Sequence, residues 1–194
     1  MIRPELTAIV LAGGRSSRFG RDKLAEPIDG RPLLDHAIDA VRPVASRILV
    51  VVAPGAARDL PPDATLVYDP TPFEGPLAGL LAGLREASDA VVLAIGGDMP
   101  GLVVAVITSM LEALDSTGAD AVVLEHDRRQ RPLPIVLRRE PAVAAAGSLY
   151  DHGERRLRAL SERLAAHVIP EASWRLLDHD GVTLRDIDTP TDLP

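Results

Sequence analysis

The apolar positions of this chain fall into short continuous runs, separated by longer stretches in which they recur every three or four residues. The runs Ala8–Leu11, Arg47–Val52, Thr65–Val67, Ala90–Ile95, Ala121–Leu124 and Pro134–Leu137 predict strands. Several of them are apolar throughout, as strands covered on both faces require. The longer stretches predict helices over Pro32–Val41, Leu77–Ala87, Leu102–Ser116, Pro141–Ser148 and Glu154–Arg163. Pro32 suits the start of the first, where its missing N–H costs nothing. Gly and Pro punctuate the joints: Asp29-Gly30, Pro54-Gly55, Pro61-Pro62, Gly75-Pro76 and Pro100-Gly101. Strand alternating with helix predicts an α/β fold with a mostly parallel, twisted sheet and helices on both faces. No repeat, low-complexity tract or linker interrupts residues 1–194, so one domain is expected, with a less regular segment from about Ala121 onward.

Composition narrows the chemistry. The 194 residues suffice for one domain with a sizeable core. Aromatic residues are only 3%, so the core is aliphatic and base stacking on an aromatic platform is not the binding mode. The net charge of -7 argues against holding nucleic acid by phosphate neutralisation. A small anionic substrate stays open, because a cleft's local field and not the total charge decides it. The absence of cysteine excludes disulfides, iron–sulfur clusters and thiolate zinc sites. The first apolar run, Ala8 to Ala12, is too short for a signal-peptide core or a membrane span, so no membrane and a cytoplasmic location are expected.

The first strand runs into Gly13-Gly14-Arg15-Ser16-Ser17-Arg18-Phe19-Gly20-Arg21-Asp22-Lys23. Glycines let backbone N–H groups approach anionic oxygens closely. Arg15, Arg18, Arg21 and Lys23 gather positive charge that repels itself unless something negative sits among it. The string is neither of two common phosphate loops: Gly20 is not followed by Lys and Ser or Thr, and Gly13, Gly14 and Gly20 lack the dinucleotide spacing.

The string Leu11, Gly13, Gly14, Ser16, Arg18, Gly20, Asp22, Lys23 resembles the opening signature of the molybdenum cofactor guanylyltransferase (MobA) family, within a larger nucleotidyltransferase group. Further stretches match in order: Gly30-Arg31-Pro32-Leu33, Asp69 through Gly75-Pro76-Leu77-Ala78-Gly79, Gly97-Asp98-Met99-Pro100, Gly153-Glu154-Arg155-Arg156-Leu157, and Asp188-Thr189-Pro190-Thr191-Asp192-Leu193. The resemblance implies a Rossmann-like nucleotidyltransferase fold and transfer of GMP from GTP to the phosphate of molybdenum-molybdopterin, with release of pyrophosphate. It implies Mg2+ as cofactor, and transient contact with other molybdenum cofactor biosynthesis proteins. The part of the chain to about 120 would bind nucleotide and the remainder would form the acceptor side. Leu11, Ala12, Gly13, Gly14, Lys23, Asp69, Gly75, Gly79 and Asp98 would bind the nucleotide, with Lys23, Arg18 and the amides of Gly13 and Gly14 on the triphosphate, Asp69 orienting the nucleoside and Asp98 on the metal; Lys23, Arg18 and Asp98 would be the catalytic residues. Arg155, Arg156 and Asp188 would face the acceptor.

The residues support this reading independently at some positions. Asp98 just follows a buried strand, where ligands of open parallel sheets bind, although turn chemistry alone also explains an aspartate there. Asp69 follows another strand, with an Asp-Pro turn as the plain alternative. Arg155 and Arg156 sit at a helix start, where cations are unfavourable without a nearby anion. The five histidines show no metal-ligand spacing, and His36 reads as structural.

The chain departs from the family at two points. Val50-Val51-Val52-Ala53-Pro54-Gly55 lacks the asparagine common after the second strand, and Asp186-Ile187-Asp188 carries Asp where family members commonly have Asn. Related cytidylyltransferases more often carry that Asp, but they usually open with Leu-Ala-Ala-Gly and lack Gly-Pro-Leu-Ala-Gly. The alternatives are a molybdopterin cytidylyltransferase, another small-phosphate nucleotidyltransferase, or a non-catalytic nucleotide- or cofactor-binding protein.

Overall fold

A computed structural model describes residues 6–13, 22–56, 58–70 and 74–187. Four parallel strands form its centre: β1 (Leu6–Leu11), β4 (Arg47–Val52), β5 (Ala64–Tyr68) and β6 (Val91–Gly96). A separate two-stranded hairpin, β2 (Pro27–Ile28) with β3 (Arg31–Pro32), precedes the first helix. Three further strands extend the main sheet: β7 (Ala121–His126), β8 (Arg129–Arg138) and β9 (His167–Ile169). The order is β5-β4-β1-β6-β8-β7-β9, and β8 alone runs against its neighbours. The order reverses between β1 and β6, so their carboxyl ends open a crevice.

Both faces of the sheet are covered, which is why β1, β4 and β6 read as unbroken apolar runs. Alternate residues leave in opposite directions. Ala8, Val10, Val50, Leu93 and Ile95 pack against α1 (Leu33–Val41) and α3 (Val104–Thr117). Ile9, Leu49, Val51, Val92 and Ala94 pack against α2 (Pro76–Glu86), α4 (Arg139–Asp151) and α5 (Leu157–Arg163). The short α6 (Glu171–Trp174) buries Trp174, whose Nε1 donates to the Glu125 carbonyl at 2.8 Å. No helix among the described residues is long and apolar enough to cross a membrane.

The segment after Ala121 is more ordered than its pattern predicts, because β7, β8 and β9 continue the same sheet. The three-residue β9 and the two-residue β2 and β3 are too short for periodicity to mark them. The helix starts also move, the first two by one residue and the fourth from Pro141 to Arg139. The third helix begins at Val104 instead of Leu102. The fifth begins at Leu157 and not Glu154, because the Glu154 carboxylate turns back to accept the N–H groups of Arg155 (2.8 Å) and Arg156 (2.9 Å). Arg138 and Arg139 hold the fold together. Arg138 donates to the carbonyls of Leu114 within the last turn of α3 and Ala119 beyond it, and Arg139 to that of Leu84 in α2. Cations suit these helix ends.

Candidate nucleotide-transfer site

The crevice holds a cavity of about 520 Å³, within the usual range for small-molecule sites. Its floor is the carboxyl ends of the parallel strands: Leu11 and Gly13 follow from β1, Val51 and Ala53 from β4, Asp69 from β5, and Gly96 and Asp98 from β6. Gly75 and Gly79 bound it from the start of α2, and Leu133 of β8 closes the far side.

At the Asp98 wall of the cavity, Lys23 Nζ lies 2.6 Å from Asp98 Oδ2. Lys23 begins a 3-10 turn (Lys23–Ala25) that the Asp22 carboxylate caps by accepting the Leu24 N–H at 3.1 Å. Asp22 also binds Arg58 through both guanidinium nitrogens, at 2.8 and 3.0 Å. The signature aspartate therefore positions the lysine. Nothing in the local sequence around Arg58 marks it as the partner of Asp22.

Asp98 owes its pose to a glycine. A Cβ at Gly96 would stand 2.3 Å from Asp98 Oδ1, so only glycine lets the carboxylate fold back over the end of β6. The chain then turns, with the Met99 N–H donating to the Gly96 carbonyl at 3.2 Å. From the C-terminal segment, the Ile187 N–H donates to the Asp98 carbonyl at 3.0 Å, and the Ile187 carbonyl accepts from Lys23 Nζ at 3.2 Å. Three distant stretches thus meet at one ion pair.

Asp69 is buried across the cavity, continuing the β5 ladder through its N–H to the Val52 carbonyl at 2.9 Å. Its Oδ2 lies 3.7 Å from where a Cβ on Gly79 would be, so Gly79 keeps that wall open beside the carboxylate. Gly75 has φ +95°, and a Cβ there would meet the Arg155 main-chain carbonyl oxygen at 2.9 Å. Close packing between α2 and the residues before α5 requires a glycine at this position, quite apart from its place on the cavity wall.

Arg155 lies beside this joint. Its guanidinium stacks 4.3 Å over the Tyr150 ring and pairs with Glu74 at 3.0 Å, while the Tyr150 hydroxyl donates to the same Glu74 oxygen at 2.6 Å. Arg156 is largely exposed and pairs with Glu154 at 2.7 Å. Side-chain and backbone donors from Arg156, joined by the Arg155 N–H, pull the Glu154 carboxyl down to about 2. The anion expected at this helix start is thus present within the chain. Gly14, Arg18 and Asp188 lie outside the described residues, so of the predicted triphosphate set the structure speaks only to Gly13 and Lys23.

Histidine plays no part in the cavity wall. His36 in α1 donates to the Ile28 carbonyl at 2.8 Å and ties the β2–β3 hairpin down. The fold does gather His126, Asp127 and Glu171, which no sequence spacing foreshadows. His126 Nδ1 and the Asp127 N–H both bond the Glu171 carboxylate, at 2.8 and 2.9 Å, and so tether α6 to the β7–β8 turn.

A family model described as "MobA-like NTP transferase domain" matches residues 8–168, which include the cavity wall from Leu11 to Leu133. The chain belongs to this family. Its MobA-like domain is 37% identical over 183 residues to a molybdenum cofactor guanylyltransferase of Burkholderia ambifaria, covering 89% of this chain and 87% of that one. It is 33% identical to a probable molybdenum cofactor guanylyltransferase of Chloroflexus aggregans, covering 97% and 91%. Among solved structures, the molybdopterin-guanine dinucleotide biosynthesis protein A of Archaeoglobus fulgidus superposes with a TM-score of 0.79 at 23% identity, over 96% of this chain and 94% of that one. The 2-C-methyl-D-erythritol 4-phosphate cytidylyltransferase of Thermus thermophilus gives 0.70 at 18% identity, over 96% and 94%. These two likenesses establish the fold of the MobA-like domain, a mostly parallel nucleotidyltransferase sheet.

Proposed function

We propose that this MobA-like protein is a molybdenum cofactor guanylyltransferase, transferring GMP from GTP to the terminal phosphate of molybdopterin to give molybdopterin guanine dinucleotide and pyrophosphate. The observation that carries the reading is the Lys23–Asp98 pair at 2.6 Å, set where the strand order reverses and facing a cavity that Asp69 bounds opposite. The names of the relatives favour GTP and molybdopterin as the substrates.

In this mechanism an oxygen of the molybdopterin phosphate attacks the α-phosphorus of GTP in line, a new P–O bond forms, and the bond to the β-phosphate oxygen breaks. The attacking oxygen is already anionic, so no strong general base is needed. Catalysis rests on positioning and on stabilising charge. Lys23 turns its ammonium from Asp98 to the triphosphate, joined by Arg18 and by the amides of Gly13 and Gly14. Asp69 orients the nucleoside between Gly75 and Gly79. Arg155, Arg156 and Asp188 serve the acceptor side, formed by the chain beyond about 120.

The donors on the cavity wall suit magnesium. Asp98 and Asp69 offer only carboxylate oxygens, with no histidine or thiolate among the lining residues, as a hard cation prefers. Asp98 would hold the ion, with Asp188 as a candidate second ligand. A bound magnesium would neutralise charge on phosphate oxygens during transfer.

The test is pyrophosphate release with magnesium, molybdopterin and each of GTP, CTP, ATP and UTP in turn, with Asp98→Ala as control. Release with GTP alone, abolished in the variant, is expected. Release mainly with CTP would move the protein to the cytidylyltransferases, and no release with any of the four would refute nucleotidyl transfer to molybdopterin.

A further inference from the structure

The arginines of the described residues differ in what they bind. Arg31, Arg42, Arg47, Arg58, Arg155, Arg156, Arg158 and Arg175 each pair with a carboxylate. Arg138 and Arg139 donate to helix-end carbonyls. Arg85, Arg128, Arg129, Arg163 and Arg185 are exposed to water. Arg131 fits none of these groups. It is half-buried, its Nε is sealed from solvent without a hydrogen-bond partner, and it has no ion pair among the described residues. The adjacent Gln130 likewise buries an Oε1 without a partner. Two further such atoms belong to Asp39 and Arg58, whose side chains are ion-paired. Native chains rarely leave buried donors and acceptors unmatched, so two neighbouring ones call for a reason.

Their place in the fold supplies one. β8 pairs regularly with β7 up to Ile135, opposite Val123, and next at Gln130, opposite Glu125, so residues 131–134 bulge against Leu124. Bulges of this kind re-aim side chains beside active sites. On its other side, β8 pairs with β6 up to Ile135 opposite Ala94. Leu133, within this bulge, and Gly96, at the end of β6, both line the cavity. Arg131 lies in the same bulge, two residues before Leu133. The bulge is on the opposite side of β1 from Asp69 and the β4–β5 wall. A half-buried guanidinium without a counter-ion is suited to a phosphate, whose oxygens its planar donors match in pairs.

We infer that Arg131 is a substrate-binding residue whose guanidinium holds a phosphate at the β8 wall of the cavity. The inference rests on the guanylyltransferase reading for the identity of that phosphate, which the acceptor or the triphosphate could supply. The β8 side favours the acceptor. Arg155 and Arg156 already have carboxylate partners, whereas Arg131 needs no exchange of partner to take an anion.

The experiment compares the wild-type protein with Arg131→Met and Arg131→Lys. Binding of molybdopterin is followed by pterin fluorescence, and binding of a non-hydrolysable GTP analogue with magnesium by calorimetry. Expected are a loss of molybdopterin affinity of at least tenfold in Arg131→Met, partial recovery in Arg131→Lys, and GTP-analogue affinity within twofold of wild type. A tenfold loss confined to the GTP analogue would also support the phosphate contact and assign it to the triphosphate. No change in either titration would overturn the inference. So would equal losses in both with a lowered melting midpoint, which would give Arg131 a role in the fold only. A wild-type protein that binds the GTP analogue but not molybdopterin would fail the guanylyltransferase reading. Titration with inorganic phosphate would then decide Arg131 alone: tenfold weaker binding in Arg131→Met supports the contact, and unchanged binding overturns it.

Discussion

Lys23 and Asp98 pair at 2.6 Å. In the proposed mechanism the lysine would turn to phosphate oxygens of GTP and the aspartate would hold magnesium. Removing either charge should therefore cost transfer far more than folding. Lys23→Ala should lower kcat about 10²-fold or more, the scale typical of losing one preorganised charge contact to the reacting group, with the melting midpoint changed little. Steady-state rates beside thermal melts would check this. Gly96 makes a sharper case, because it touches no substrate in this account. Gly96→Ala would push a methyl into Asp98 Oδ1 and so displace the carboxylate. The expected result is a loss of rate close to that of Asp98→Ala, with a circular dichroism spectrum like that of the wild type. An active Gly96→Ala would show that the pose of Asp98 is unimportant. Asp69 and Asp98, both on the cavity wall, were legible because each sits just past the end of an apolar run, whereas Leu11 and Gly13 were picked out by the glycine-rich opening string and its resemblance. The partners that hold the site were not. Arg58 meets Asp22 across 36 positions and Tyr150 meets Glu74 across 76, distances over which no periodicity operates. Arg131 looks in the sequence like one more charged surface residue, and only burial sets it apart.

At the scale of elements, one short turn brings the C-terminal segment to the site. The Asp178 carboxylate is buried and accepts the N–H groups of Val182 at 3.1 Å and Thr183 at 2.8 Å, which shapes the 3-10 turn Val182–Leu184. The Thr183 hydroxyl then accepts the Val103 N–H at the start of α3, and the chain continues to Ile187 against Asp98. Burial pushes the Asp178 carboxyl up, but the Thr183 and Val182 donors outweigh it and hold it below its ordinary value. A depressed carboxyl stabilises the fold above its unfolded-state pKa, and that contribution is lost as pH falls through the folded value. Asp178→Asn should thus lose about 1–3 kcal/mol near neutral pH, the cost of unmatched buried donors. The gap from wild type should close as pH falls below the usual carboxylate range. Urea denaturation at several pH values would measure it, and a gap independent of pH would contradict the assignment. The main strands were visible in the sequence because burial on both faces writes itself as an apolar run. β9, the β2–β3 hairpin and α6 were not, since two to four residues are too few to carry a period, and their pairing or docking partners lie far along the chain.

For the whole molecule, the net charge of -7 and the anionic substrates are reconciled by placement. Among the described residues most arginines are bound to carboxylates or helix ends, while Lys23 pairs with Asp98 on the cavity wall. Binding to the folded state alone should raise stability by mass action. GTP with magnesium should therefore raise the melting midpoint of the wild type by several degrees. Asp98→Ala should lose most of that rise, and an equal rise in both would place the metal elsewhere. The mostly parallel topology was foreseeable from strand–helix alternation, whereas the strand order and its reversal between β1 and β6 were not. The antiparallel β8 and the bulge at 131–134 were not foreseeable either, because they depend on pairings with β6 and β7 that leave no local mark. The central claim is that the α-phosphate of GTP ends on molybdopterin. GTP labelled at the α-phosphorus, incubated with molybdopterin, magnesium and the protein, tests it directly. The account predicts label in a pterin dinucleotide, with γ-labelled GTP giving labelled pyrophosphate instead. Recovery of the α-label only as GTP, or as free GMP with no labelled pterin, would contradict it.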